Sequence, residues 1–233
     1  MLVLATSVDW HYDLFKRLKI GMPGDWHLVT SHEALLEFTE ENKTAIERIY
    51  LPHWSFILPK KIYASFECIV FHMTDLPYGR GGSPLQNLIL RGHKTTKISA
   101  LNVVRELDAG PVYLKKELDL SGSASEIFIR ASHIIGDMIL EIEKESLEPQ
   151  AQIGEVVEFR RRKPSESEIN FDASQEELYD FIRMLDADGY PHAYAHLGRW
   201  RMEFSSAEND EASILVRVKL IRNPDHSKVG EKK

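Results

Sequence analysis

The chain has 233 residues and a formal net charge of −7, with 43% hydrophobic and 28% charged residues. That is the make-up of a water-soluble chain with room for one domain and a small appendage, and no apolar run approaches the ~20 residues that a membrane helix needs. The acid excess argues against a large nucleic-acid surface, which needs clustered positive charge. The single cysteine, Cys68, excludes an intrachain disulfide and a thiolate metal cluster.

Leu2–Ser7 is a short apolar run without a preceding basic segment, so it reads as a buried strand and not as a signal peptide. His11–Lys19 places Leu14, Phe15 and Leu18 at helical spacing, and Gly21, Pro23 and Gly24 end that helix. Trp26–Thr30 reads as a second strand. Ser31 can cap a helix over 32–40 with Leu35, Leu36 and Phe38 inward, and Ile46–Leu51 reads as a third strand. This alternation predicts an α/β fold: a Rossmann-like, mainly parallel sheet with helices on both faces. No Gly-x-Gly-x-x-Gly follows the first strand, which argues against a dinucleotide.

Cys68–Phe71 is a further buried strand that stops at His72. Leu-Pro, Gly-Arg-Gly-Gly and Ser-Pro then turn the chain into a loop, with Ser83 as a cap and Pro84 at the first position of a helix ended by Gly92. A titratable side chain at the carboxyl end of a central strand is where open α/β sheets place their chemistry. From spacing alone, His72 reads equally well as a satisfied core histidine. Thr95–Val104 and Val112–Glu117 read as strands flanking a Gly-Pro turn, in which Asp108 can serve local turn hydrogen bonds. Ser123 can cap a long helix to about residue 144, with Ile127, Ala131, Ile134, Ile135, Met138 and Ile142 along one stripe.

The composition shifts near residue 148, which suggests a domain over 1–150 and a small C-terminal α+β region over 151–233. Val156–Phe159 reads as a short strand. Arg160–Lys163 reads as a solvated basic face or as a contact for a diphosphate. Ser174 and Glu177 form a capping box for a helix over 175–185. Trp200–Phe204 and Ser213–Ile221 suggest a small β unit, and Asp225–Lys233 reads as a frayed polar tail.

The stretch His72-Met73-Thr74-Asp75-Leu76-Pro77-Tyr78-Gly79-Arg80-Gly81 resembles the His-Pro-Ser-Leu-Leu-Pro-x-Tyr-Arg-Gly loop of the formyltetrahydrofolate-dependent formyltransferases. Arg105-Glu106-Leu107-Asp108-Ala109-Gly110-Pro111 resembles the Leu-Asp-x-Gly-Pro turn of the same family, 36 positions on (108 − 72). The matches span roughly residues 50 to 120. A softer likeness of Arg-Lys-Pro, Tyr-Pro-x-Ala and Arg-Met-Glu-Phe near the C-terminus points within that family to the sugar N-formyltransferases.

The resemblance implies 10-formyltetrahydrofolate as co-substrate and His72 with Asp108 as the catalytic pair. It implies a folate site at Ile57, Leu58, Pro59, Asp108 and Gly110, and acceptor contacts from Thr74, Tyr78, Arg80 and Gly81. It further implies a cytoplasmic enzyme whose partner is a nucleotide-linked amino sugar for bacterial surface glycans, with no nucleic-acid or membrane partner; a homodimer is left open. A methionyl-tRNA formyltransferase-like enzyme, a catalytically degenerate folate or sugar-nucleotide binder and a formate-releasing hydrolase stand as alternatives.

The chemistry fits these residue types. An amine attacks the formyl carbon, a group must take the amine proton, and a donor must hold the oxyanion. A histidine oriented by a carboxylate can do the first. The family's asparagine, two positions before the histidine, is Val70 here, and a lost oxyanion donor typically costs on the order of 10²–10³ in rate. Ser55, His53, Thr74 or a backbone N–H within Gly79–Gly82 are the candidate replacements.

Overall fold

The computed structural model describes residues 1–8 and 11–222, so the expectation for Asp225–Lys233 lies outside the described residues. Two compact units divide the chain. The first comprises Met1–Pro84, Thr95–Asp119 and Phe128–Arg160; the second comprises Leu85–Lys94, Leu120–Ile127 and the described residues from Arg161 on. No helix among the described residues is long and apolar enough to cross a membrane.

In chain order the elements are β1 (Leu2–Ala5), α1 (His11–Gly21), β2 (Trp26–Val29), α2 (His32–Glu41), β3 (Arg48–Leu51), α3 (Lys60–Tyr63), β4 (Glu67–His72), β5 (Tyr78–Gly81), α4 (Pro84–Leu90), β6 (Thr95–Asn102), β7 (Val112–Asp119) and α5 (Ala124–Glu145). They continue with β8 (Val157–Phe159), α6 (Gln175–Arg183), β9 (Ala193–Leu197), β10 (Trp200–Asn209) and β11 (Ile214–Arg222).

The first unit is built on a six-stranded sheet of order β2-β1-β3-β4-β6-β7. The β1–β2, β1–β3 and β3–β4 pairs are parallel, as the βα alternation predicts; β4–β6 and β6–β7 are antiparallel. Strand side chains alternate between faces. Val3, Ala5, Ile49, Leu51 and Cys68 accordingly pack on one face with Leu35 of α2 and Ile62 of α3. On the opposite face the Tyr50 hydroxyl donates to Glu143 of α5. The Ser31 side chain caps α2 by accepting from the Ala34 N–H at 3.1 Å, which satisfies one of the donors left open at a helix start. Burial pushes the Cys68 thiol up to about 12, with nearby Glu67 adding to the shift, consistent with a packing role.

Arg48, at the first position of β3, sits between two carboxylates: it contacts Glu67 at 2.8 Å and also Glu143. Tyr113 donates to the same Glu67. Removing the guanidinium leaves two partly buried carboxylates without their cation. Breaking a fully buried pair costs about 3–5 kcal/mol, and residual exposure here lowers that figure. Arg48→Met is therefore expected to destabilise the protein by about 2–3 kcal/mol in urea unfolding; an unchanged midpoint would show the network contributes nothing.

One element departs from the sequence-based expectation. The Gly-rich stretch after His72, expected as a loop, contains β5, which pairs in parallel with β8. Glycine and proline mark it as a breaker region, but the glycines are there for close approach. Gly79 and Gly81 hold φ of +79° and +106°, and a Cβ at Gly81 would lie 2.4 Å from the Phe159 carbonyl oxygen. Propensity carries no trace of a pairing that depends on a strand nearly eighty residues away.

The second unit contains α6, begun by the expected Ser174–Glu177 capping box, and an antiparallel sheet of order β11-β10-β9. α6 packs on β10. The register places Tyr194 and His196 of β9, Arg201 and Glu203 of β10, and Arg217 and Lys219 of β11 on one face, with Arg201 paired to Glu203 at 3.3 Å. The Arg201 guanidinium lies 3.9 Å above the Tyr194 ring. Phe204, Ala193 and Ala195 are buried on the other face.

Candidate active site

His72 ends β4 and is 8% exposed. Its Nε2–H donates to the Gly79 carbonyl at 2.7 Å, and its Nδ1 faces Asp108 Oδ2 at 3.5 Å. Asp108 Oδ2 also accepts the Gly81 N–H at 2.9 Å. The two residues proposed as the catalytic pair therefore meet, and the glycine strand β5 clamps them from both sides: the Gly79 carbonyl on the imidazole, the Gly81 amide on the carboxylate. Imidazole can donate through both nitrogens only when it carries both protons.

The route by which Asp108 arrives differs from a simple strand-end position. β6 runs antiparallel to β4, pairing His72 with Ser99 and Ile69 with Asn102, so the chain leaves β6 level with Ile69. The connection over 103–111 then brings Asp108 back to His72. Asp108 itself adopts φ +52°, a left-handed conformation uncommon for residues other than glycine, which aspartate tolerates better than most.

Two supporting side chains carry no sequence signal of their own. Ser99, fully buried, donates from Oγ to the Thr74 carbonyl at 2.7 Å and accepts the Leu76 N–H at 3.3 Å, so β6 fixes the start of the loop after His72. Its role becomes readable only once the β4–β6 register is known. Gln152, in the segment before β8, accepts from Arg80 Nε at 3.1 Å and Nη2 at 2.7 Å, and its Nε2 donates to the carbonyls of Asp108 and Gly110, each at 2.8 Å.

The remaining expected residues fall as follows. Thr74 is fully buried, with its hydroxyl directed at the Gly79 carbonyl at 3.4 Å. Tyr78 is half-buried and meets Phe159 edge to face, with centroids 5.4 Å apart. Arg80 is half-buried and no carboxylate among the described residues pairs with it; its guanidinium is held by the neutral Gln152 amide. Ile57 is 86% exposed, Leu58 belongs to the core cluster of the sheet, and Pro59 stands immediately before α3. Gly110 is buried, and a Cβ there would lie 1.7 Å from the Asn102 carbonyl oxygen, so backbone packing alone requires glycine.

Val70 shares the His72 side of β4 and packs on Leu76, Leu101 and Val112, an apolar contact where the resemblance puts an asparagine. Of its candidate substitutes, Ser55 is exposed and the Gly81 and Gly82 amides are already spent on Asp108 and the Phe159 carbonyl.

A second histidine pair lies at the carboxyl ends of β1 and β3, where the strand order reverses direction. His11 Nδ1 shares a 2.8 Å hydrogen bond with Thr6 Oγ1, and the His11 and His53 rings meet edge to face at 6.3 Å. Burial, with a smaller contribution from His53, pulls the His11 pKa down to about 3, and burial lowers His53 to about 4. Both rings are thus neutral near pH 7.

Comparison with known proteins agrees with this geometry on the family and corrects the expected acceptor. Residues 164–221 match the family model for the methionyl-tRNA formyltransferase C-terminal domain. The solved methionyl-tRNA formyltransferase from Clostridium thermocellum is 44% identical with a TM-score of 0.89, over 95% of this chain and 98% of that one. A curated methionyl-tRNA formyltransferase from Thermodesulfovibrio yellowstonii is 25% identical over 175 residues, 70% of this chain and 56% of that protein. The chain thus spans about half the length of the curated relatives it matches.

A sugar N-formyltransferase from Shewanella is only 13% identical (TM-score 0.70, covering 90% of this chain and 98% of that one), a likeness of fold alone. The amino-sugar acceptor and the exclusion of a nucleic-acid partner are therefore overturned. Net charge is a sum over the whole chain and does not exclude a locally basic face, so it could not decide the acceptor. With high identity over nearly the whole of a solved relative, and with the His72 and Asp108 loops in place, the chain belongs to the formyltransferase family.

Proposed function

We propose that this chain transfers the formyl group of 10-formyltetrahydrofolate to the amine of methionyl-tRNA, in the cytoplasm. The observation that carries the reading is the 44% identity, over 98% of its length, to a protein described as a methionyl-tRNA formyltransferase, combined with a buried His72–Asp108 contact of 3.5 Å. In this reading the imidazole gives up its contact with the Gly79 carbonyl when substrate enters, its single proton stands on Nδ1 toward Asp108, and the freed, unprotonated Nε2 takes the proton of the attacking amine. Asp108 fixes the ring and offsets the charge it acquires. Folate supplies the activated formyl group; the loops at Ile57–Pro59 and Asp108–Gly110 are the places proposed to receive it. Arg217 and Lys219, exposed on β11, are the candidate phosphate contacts of the β9–β11 sheet, beside Arg201, which stacks on the buried Tyr194 and pairs with Glu203 at 3.3 Å. The test is formylation of charged initiator tRNA by the purified protein with 10-formyltetrahydrofolate, scored as formylmethionine after ester hydrolysis. Formylmethionine that requires both substrates supports the reading; its absence at micromolar enzyme overturns it.

Arg80 is the acceptor-binding residue this reading bears on most sharply. A half-buried guanidinium held by an amide keeps its full charge available to a phosphate of the incoming tRNA end. Arg80→Ala is expected to raise KM for methionyl-tRNA about tenfold and to reduce the slope of log affinity against log salt by about one. An unchanged KM and salt slope would remove Arg80 from the tRNA contact.

A further inference from the structure

We propose that Gln152 is a positioning residue for the His72–Asp108 pair, acting through the backbone of the Asp108 turn. The inference rests on the formyltransferase reading for its kinetic consequence, but its structural basis is independent of it. A carboxamide can accept two hydrogen bonds at its oxygen and donate two from its nitrogen. Gln152 uses all four: Arg80 Nε and Nη2 at 3.1 and 2.7 Å on the oxygen, and the Asp108 and Gly110 carbonyls at 2.8 Å each from the nitrogen. One side chain thereby grips the turn on both sides of Ala109 and anchors it to β5.

That grip falls where the backbone needs it. Asp108 is a non-glycine residue at φ +52°, a state that costs free energy and relaxes unless the surroundings over-determine it. The Oδ2 position that faces His72 Nδ1 and accepts the Gly81 N–H depends on that conformation. The other end of the amide holds Arg80, whose neighbours Gly79 and Gly81 supply the carbonyl and the N–H that clamp His72 and Asp108. Gln152 therefore ties together the two strands of contact that define the pair, without touching either reacting side chain. Its half-buried position, remote in sequence from both loops, is the arrangement by which supporting hydrogen bonds orient catalytic groups.

The test compares the wild-type protein with Gln152→Met, which keeps length and shape and removes all four hydrogen bonds, and with Gln152→Ala. Two quantities are measured: formyl-transfer kinetics, and amide hydrogen exchange at Gly81 by NMR. The expected result is a kcat about 10-fold to 100-fold lower, with KM for 10-formyltetrahydrofolate within about twofold, and faster Gly81 exchange as the Asp108 carboxylate leaves its place. A role confined to general stability would shift the unfolding midpoint and leave kcat per folded molecule and Gly81 exchange unchanged; that outcome overturns the proposal. Should wild-type protein show no formyl transfer, the proposed function fails, while Gly81 exchange in the two variants still decides whether Gln152 holds Asp108.

Discussion

His72→Ala abolishes formyl transfer and leaves the fold intact: this is the largest single effect expected of any substitution in the chain. A positioned general base contributes about 10²–10⁴-fold, and here the same imidazole stands without the asparagine donor that the family places at Val70. The structural cost of the change is moderate, and Asp108 keeps the Gly81 N–H when the imidazole is gone. The imidazole makes one hydrogen bond, to the Gly79 carbonyl, and losing it leaves a buried acceptor worth about 1–3 kcal/mol. Asp108→Asn keeps an oxygen for the Gly81 N–H but removes the charge facing Nδ1, and kcat should fall on the order of 10²-fold. The check is kcat for both variants beside their urea midpoints. Near-wild-type kcat for His72→Ala would show that the imidazole is a core residue and that the chemistry lies elsewhere.

The second large effect is a loss of stability in mild acid. His11 and His53 are neutral when folded because their pKa values lie near 3 and 4, well below the ordinary value of 6.5. Well above pH 6.5 both folded and unfolded chains carry neutral rings, and neither residue makes stability depend on pH. As pH falls below 6.5 the unfolded chain binds protons that the folded chain refuses, so stability declines until the folded rings titrate in turn. Each histidine approaches about 1.4 kcal/mol per pH unit once the unfolded ring is fully protonated, so the pair costs about 2.4 kcal/mol between pH 6 and 5. Unfolding free energies measured at pH 7, 6 and 5 should show this slope, and His11→Leu should remove about half of it. Half the slope would mean that one of the two rings titrates alike in the folded and unfolded chains, and a flat profile in the wild-type protein would mean that both do.

How far the sequence could be read depended on whether a feature is local. The β1–α1–β2–α2–β3 alternation follows from apolar spacing and caps such as Ser31, so the parallel half of the sheet was legible. The reversal at β6 was not, because Thr95–Asn102 carries the same β-branched pattern whichever way it pairs. β5 was hidden by its own glycines, which propensity reads as breaks and which the structure needs for contact with Phe159. His72 and Asp108 could be picked out because they sit in motifs. Ser99 and Gln152 could not: each matters through partners 23 to 72 positions away, and neither residue type announces that. The acceptor was misread for a different reason. Net charge averages over the surface and the softer C-terminal likeness is short, and both pointed to an amino sugar, whereas 44% identity over nearly the whole of a solved methionyl-tRNA formyltransferase points to the other acceptor.

The most direct measurement is a single-turnover reaction with enzyme in excess over 10-formyltetrahydrofolate carrying an isotopically labelled formyl carbon, in the presence and absence of methionyl-tRNA. The account predicts that the label appears in formylmethionyl-tRNA within the first turnover, only when charged tRNA is present, and that His72→Ala stops its appearance. Label released as formate at the same rate with or without methionyl-tRNA would contradict it.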